Sequence, residues 1–279
     1  MTPPTPFPSN LSTLGWILAA MALVAALEAA IPSRARGRWS RAHLGPNLSL
    51  TALTFGVNAL LGSGLVVALV WLEARGLGLL PWLALPSLLG TLAVVAVLDL
   101  STYGAHVALH ASPVLWRLHR VHHSDAAVDV TTTLRQHPGE TLVRFAFLGA
   151  AAAALGASPA AFAIYRAASA LNALLEHANL RLPARLDGLL SLAFVTPNMH
   201  KVHHSRAQQE TDSNYGNLFS VFDRLFATFT PSRRGLDVDY GLVGFDDPGA
   251  QTTRELLALP FRAEPAEAPA RARLAESRG

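Results

Sequence analysis

The chain has 279 residues, 51% of them hydrophobic and only 15% charged, against roughly 25% charged in soluble domains; that balance excludes an ordinary soluble globule and points to a membrane protein. The formal charge of +3 suits an anionic membrane surface, but no basic run with interleaved aromatics marks a nucleic-acid face, so nucleic acid is set aside as a partner. With no cysteine, disulfides, thiolate metal sites and cysteine nucleophiles are excluded, and any metal must be held by histidine or carboxylate.

Residues 1–10, MTPPTPFPSN, are proline-rich and polar and read as a poorly ordered leader. Residues 11–31 carry Glu28 as their one internal charge and reach the roughly 20 apolar residues that cross a bilayer. No basic region precedes them, so they read as a span and not as a cleaved signal peptide. Four arginines in residues 34–43 place that loop in the cytoplasm and the N-terminus outside; His43, in the same loop, reads as solvated. Uncharged residues 48–72 return across the bilayer, and a short loop with Glu73 and Arg75 lies outside. Residues 79–98 form a third span whose continuation, DLSTYGAHVALH, emerges in the cytoplasm.

Residues 145–165 are again uncharged, bracketed by Arg144 and Arg166 and interrupted by GASP, which contains a helix breaker. The histidine motifs on either side face one compartment only if the number of crossings between them is even, so a helical hairpin turning at GASP is predicted. Beyond residue 206 the chain is charged and ordinary, and residues 231–279 read as a C-terminal tail, flexible from 261. The four divisions are therefore a leader (1–10), membrane helices (11–89), a histidine-rich domain (90–230) and the tail. No strand-type alternation occurs. The fold class is all-α: a multi-pass helical membrane protein with a cytoplasmic histidine-rich cap. Lys201 is the only lysine among 22 basic residues, the arginine bias of a GC-rich bacterial genome, which makes the membrane a bacterial inner membrane.

Of eleven histidines, eight fall in three clusters: HVALH (His106, His110), HRVHH (His119, His122, His123) and HKVHH (His200, His203, His204). Residues three or four apart share a helical face, so HxxxH presents two imidazoles side by side. Adjacent residues diverge by about 100° around the axis, so each HxxHH can reach two neighbouring metal ions. Imidazole suits iron, zinc, copper and nickel but not magnesium or calcium. A tetrahedral zinc site needs three or four protein ligands, so eight clustered histidines imply two metals. The glutamate-rich pattern of carboxylate di-iron bundles is absent. His137 in LRQHPGE and His177 in LLEHANL are each as readily a hydrogen-bonded interfacial histidine as a ligand.

DLSTYGAHVALH, LWRLHRVHHSD, LRQHPGE, LLEHANL, PNMHKVHHS and DSNYGNLFSVFDRLFATF, in that order over about residues 90–230, together resemble the fatty acid hydroxylase and sterol desaturase superfamily of membrane di-iron enzymes. The resemblance implies two iron ions on the eight clustered histidines, with zinc in a purified or substituted form, and makes His177 and His137 additional ligands. It also implies O2 as co-substrate, two electrons from a separate donor (a ferredoxin, cytochrome or reductase), and hydroxylation or desaturation of a lipid such as a fatty acyl chain, sterol or related isoprenoid. Asp99, Tyr103 and His106 share a helical face; Asp99 is either an acceptor for a ligand's outer N–H or a carboxylate facing lipid headgroups. Asp212 and Asp125 have the same two readings, the solvated one favoured. Asn214, Tyr215 and Gly216 match the family's NYG and close the site structurally. Arg120 and Lys201, at equivalent places in the two HxxHH copies, read as snorkelling or solvated.

Two other classes stay open on the residues alone. A histidine-rich membrane metal transporter or metal-binding protein would carry its ligands at mid-membrane on broken helices, whereas these clusters adjoin charged residues outside the spans. A zinc hydrolase would need a glutamate base as in HExxH, and none stands beside these histidines.

Overall fold

The computed structural model describes residues 10–34, 42–234, 237–245 and 247–263. The predicted leader up to residue 9 and the tail from 264 lie outside the described residues. Helix α1 spans Asn10–Ala30, α2 Leu44–Ala74 and α3 Ser87–Ala111. Three helical segments are long and apolar enough to cross a membrane: Thr13–Ala30, Leu44–Leu83, which takes in α2 and a short turn after it, and Ser87–Ala111. Only 17%, 11% and 39% of their most apolar 18-residue stretches are buried. So much exposed apolar surface is costly in water and is what a lipid-facing helix presents. Leu18, Leu27, Leu60 and Val67 stand outward on α1 and α2.

The third span begins later than its apolar run. A short helical turn at Leu79–Leu83 ends in Ala84 at φ 48, and Pro86 stands at the N-cap of α3. Proline is poorly tolerated within a helix but readily starts one, so the continuous helix runs from Ser87 past residue 98 to carry HVALH on its last turns.

Helix α4, Pro113–His123, starts at Ser112, whose hydroxyl accepts from Leu115 N, with Pro113 in the first turn. A 3-10 turn, Val130–Leu134, leads to α5, Pro138–Leu155, and α6, Pro159–His177. These two helices form the hairpin expected at GASP. Gly156 adopts φ 63, a left-handed C-terminal stop that favours glycine, and Ser158 then caps α6 by accepting from Ala161 N. A Cβ at Gly156 would lie 2.2 Å from Leu77 O, so the hairpin tip is seated directly on the α2–α3 connection. Leu69, Val94, Leu98, Leu148, Leu155, Phe162 and Tyr165 pack between α2, α3, α5 and α6. A smaller cluster, with Met21, Val24, Val130 and Leu174, fixes α1 to α6.

Helix α7, Pro197–His203, is capped by Thr196, which accepts from Met199 N. Among the described residues there is no strand, only isolated bridges such as Phe194 with Phe219. The part of the C-terminal tail ahead of residue 261 is packed: Leu256 and Leu259 are buried against Leu50 and Val121. Gln251 donates to Ser124 O at 3.1 Å.

Buried polar contacts tie the loops to the ends of the spans. Glu28 accepts from Val130 N at 2.8 Å and Asn179 N at 2.7 Å. His43 is 1% exposed and donates to Asp125 Oδ1 at 2.9 Å, while Asn47 Nδ2 reaches Asp125 Oδ2 at 2.9 Å. The expectation that His43 and Asp125 are solvated is therefore wrong. Two apolar elements meet there, and Asp125, already accepting from Thr132 and Asn47, fills the remaining demand with His43. Burial alone would lower the His43 pKa, but bonds to Asp125 and Asp129 raise it to about 9. Asp125 falls well below the usual carboxylate range: burial opposes this, but Arg135 and His43 outweigh it.

Candidate metal centre

Nine histidines converge where α3, α4, α6 and α7 meet. His106 and His110 come from the end of α3, and His119, His122 and His123 from α4. His177 is the last residue of α6; His200 and His203 lie on α7, with His204 at its C-cap. None is more than 5% exposed. They sort into two groups, each with its ligand atoms within 4.8 Å of one another: His106, His110, His119, His123 and His203 in the first, His122, His177, His200 and His204 in the second. The adjacent pairs are split, as the helical offset requires: His122 and His203 each join the group opposite to that of their neighbours.

The donor set fits a pair of metal ions. Inward Nε2 atoms face one another at 3.1 Å (His106, His119) and 3.2 Å (His119, His123) in the first group. In the second they lie at 3.1 Å (His122, His177), 3.0 Å (His177, His200) and 3.2 Å (His200, His204). His203 Nε2 is buried with no hydrogen-bond partner, an arrangement costly without a ligand. Burial, reinforced by neighbouring imidazoles, holds the pKa values of His122, His123, His200 and His204 well below the ordinary histidine value, and burial takes His203 down to about 3. The rings are thus neutral at pH 7, the form that binds metal.

Outward Nδ1 atoms hold the rings in place. His106 donates to Tyr215 O at 2.9 Å, His177 to Ala173 O at 2.8 Å and His203 to Ser213 O at 2.7 Å. His110 faces Asp212 Oδ1 at 3.2 Å, and His119 faces Glu140 Oε1 at 2.9 Å. Such outer partners set the tautomer so that Nε2 offers its lone pair inward. Glu140 is fully buried and its charge is met by Arg144 Nε at 2.7 Å. Sequence reasoning missed Glu140; its signal was a carboxylate two residues into a proline-started helix, in HPGE.

Beside the centre, between α1, α2, α5 and α6, lies a cavity of about 1000 Å³ lined by Trp16, Phe55, Val66, Phe145, Phe162 and Leu174 among others. Ala173 and Arg144 also line it, so its wall includes the carbonyl partner of His177 and the counter-charge of Glu140.

The profile of the fatty acid hydroxylase family matches residues 91–228. The chain belongs to that family. Among its relatives, the ornithine lipid hydroxylase OlsE of Rhizobium tropici is 33% identical over 150 residues, 54% of this chain and 44% of the relative. An alkylglycerol monooxygenase of Caenorhabditis elegans is 33% identical over 147 residues, 52% of this chain and 28% of the relative. The human alkylglycerol monooxygenase is 28% identical over 162 residues, 58% and 33% of the two chains. The chain spans less than half the length of each of these relatives. No solved structure matches it. The matched region contains all nine converging histidines.

Other expected site residues stand elsewhere. His137 belongs to neither group; it caps α5 by accepting from Gly139 N at 3.0 Å and packs on Phe261. Asp99 serves no histidine and faces no headgroup. It accepts from Leu218 N, Phe219 N and Asn217 Nδ2 at 2.9–3.1 Å, pinning the segment after NYG. Tyr103 meets Thr228 Oγ1 at 2.9 Å and stacks on Phe226. Asn214, at φ 55, holds Met199 O and Thr230 O and so braces α7. Asp212 is turned to His110 rather than to solvent alone. Arg120 and Lys201 are not solvated: each is buried and donates to carbonyls, of Leu259 and Arg262 for Arg120 and of Leu180 for Lys201. Charges on buried helix faces need such acceptors, and a helical register alone does not reveal them.

Proposed function

We propose that this fatty acid hydroxylase inserts oxygen from O2 into a membrane lipid, with one iron ion in each histidine group. The observation that carries this is the pair of buried, interlocked histidine groups beside an apolar cavity large enough for an acyl or isoprenoid chain. His106, His110, His119, His123 and His203 would hold one ion; His122, His177, His200 and His204 the other. Bound there, iron would supply the activation of O2. The chain's own residues hold the imidazoles in one tautomer through Glu140, Asp212 and three carbonyls, exclude water by burial, and offer the lipid an apolar berth. The names of the relatives support a lipid substrate and hydroxylation over desaturation. Electrons come from a separate ferredoxin, cytochrome or reductase. Residues 90–230 form the catalytic domain, facing the cytoplasm of a bacterial inner membrane with the N-terminus outside.

The test uses purified protein and labelled O2. About two irons per chain and a lipid product carrying one label atom are expected. His122→Ala and His203→Ala, one from each group, should lose both iron and product. Full turnover in either variant, or turnover with zinc and without O2, would overturn the assignment.

A further inference from the structure

Arg166 is a charge that the histidine centre does not use. It lies on α6 eleven residues before His177, about 16 Å along the axis, and lines the cavity. Its guanidinium meets Asn58 Oδ1 at 3.4 Å and lies over the Phe145 ring at 5.6 Å. Among the described residues it has no carboxylate within ion-pair distance. Arg144, which lines the same cavity, is by contrast neutralised by Glu140. A cation with only an amide and a ring for company, in a protein cavity beside lipid-facing helices, is costly to hold unless an anion meets it. Packing alone would be served better by an apolar residue. Asn58, Ser169 and Asn217 share its wall, and the larger part of the lining is apolar.

We propose that the cavity takes an amphiphile with an acidic group, a carboxylate or a phosphate, bound by Arg166 with Asn58, its hydrocarbon chain filling the apolar remainder toward Ala173 and the metal centre. The guanidinium fork matches both anions and can hold either in a bidentate manner. This rests on the lipid-oxidising reading and narrows its substrate to anionic lipids over neutral sterols or hydrocarbons.

Trp16 lines the same cavity, so its fluorescence reports occupancy. The full chain in detergent is titrated with a brominated fatty acid, a brominated lysophosphatidic acid and the brominated fatty alcohol of equal chain length. Saturable quenching, absent in Trp16→Phe, is expected to be tighter for at least one anion than for the alcohol by about ten- to a hundred-fold, the scale of a charge-assisted hydrogen bond. The tighter anion identifies the source of the acidic group. Arg166→Gln should abolish the preference and Arg166→Lys should keep it. Equal binding of acids and alcohol by the unaltered chain overturns the proposal, as does a folded Arg166→Gln protein that keeps the preference. The head-group comparison needs no variant, so it stands even where Arg166→Gln fails to fold. It also needs neither iron nor O2. Anion preference without lipid oxidation would sink the hydroxylase reading alone, and oxidation without anion preference would sink only this one.

Discussion

His43 gives the sharpest test of how the first loop is held to the histidine centre. Its pKa is about 9 in the fold against 6.5 when free, because Asp125 and Asp129 outweigh the effect of burial. A group whose pKa is raised on folding contributes stability that is complete below its unfolded value and is lost as pH climbs through the folded one. The shift of 2.5 units corresponds to about 3 kcal/mol at roughly 1.4 kcal/mol per unit, and about half of that disappears between pH 6.5 and 8. Over the same range the buried histidines of the centre, whose pKa values are held below the ordinary one, add stability to the fold, so the His43 contribution is read as the difference between the native chain and His43→Gln. Asp223, raised to about 6 chiefly by burial, acts at lower pH, and Lys201, lowered to about 8 by burial, adds stability only as pH rises further. Thermal unfolding in detergent should therefore show the Tm advantage of the native chain over His43→Gln shrinking by several degrees from pH 6.5 to 8, at roughly 2–4 °C per kcal/mol for a chain of this size. His43→Gln should begin lower and close on the native chain as pH rises. A gap between the two melts that holds constant across the window would refute the charged His43–Asp125 pair.

Glu140→Gln keeps an oxygen for His119 but strands Arg144, and should weaken metal retention about 10- to 100-fold, read as metal remaining after dialysis against a chelator. Gly156→Ala places a Cβ against Leu77 O at a positive φ and should cost at least ~1–2 kcal/mol; Gly149→Ala, whose Cβ would meet only Leu65 at 3.8 Å, should be neutral or stabilising in the same melt. Asp99→Ala leaves Leu218 N and Phe219 N without their acceptor and should destabilise by a few kcal/mol while metal content per folded chain is unchanged; loss of metal at full stability would restore Asp99 as a partner of the ligands.

Local pattern carried much of this into the sequence. Apolar runs of bilayer length gave the three spans, GASP gave the hairpin, and the offset within HxxHH gave the division of adjacent histidines between two groups. What stayed hidden depends on contacts across the chain. His43 and Asp125 are 82 residues apart and each looks solvated until α2 meets the loop after α4. Asp99 shares a helical face with His106, yet its oxygens point to a loop 120 residues away. His137 is a ligand by resemblance alone, but the proline that follows it starts α5 and makes it a helix cap. Face and period can be read locally, whereas the partner of a buried charge is fixed only by tertiary packing.

The division of histidines also has a direction in time. Four of the five residues of the first group lie within residues 106–123, whereas three of the four of the second lie within 177–204. As the chain leaves the ribosome, the first group is nearly whole before the hairpin exists, and the second has only His122 until α6 and α7 arrive. An ion captured early would sit with His106, His110, His119 and His123, and His203 would later close over it. On the two-ion reading proposed above, metal supply during synthesis would then govern how α7 docks, and chains made under metal limitation would lack the second ion first.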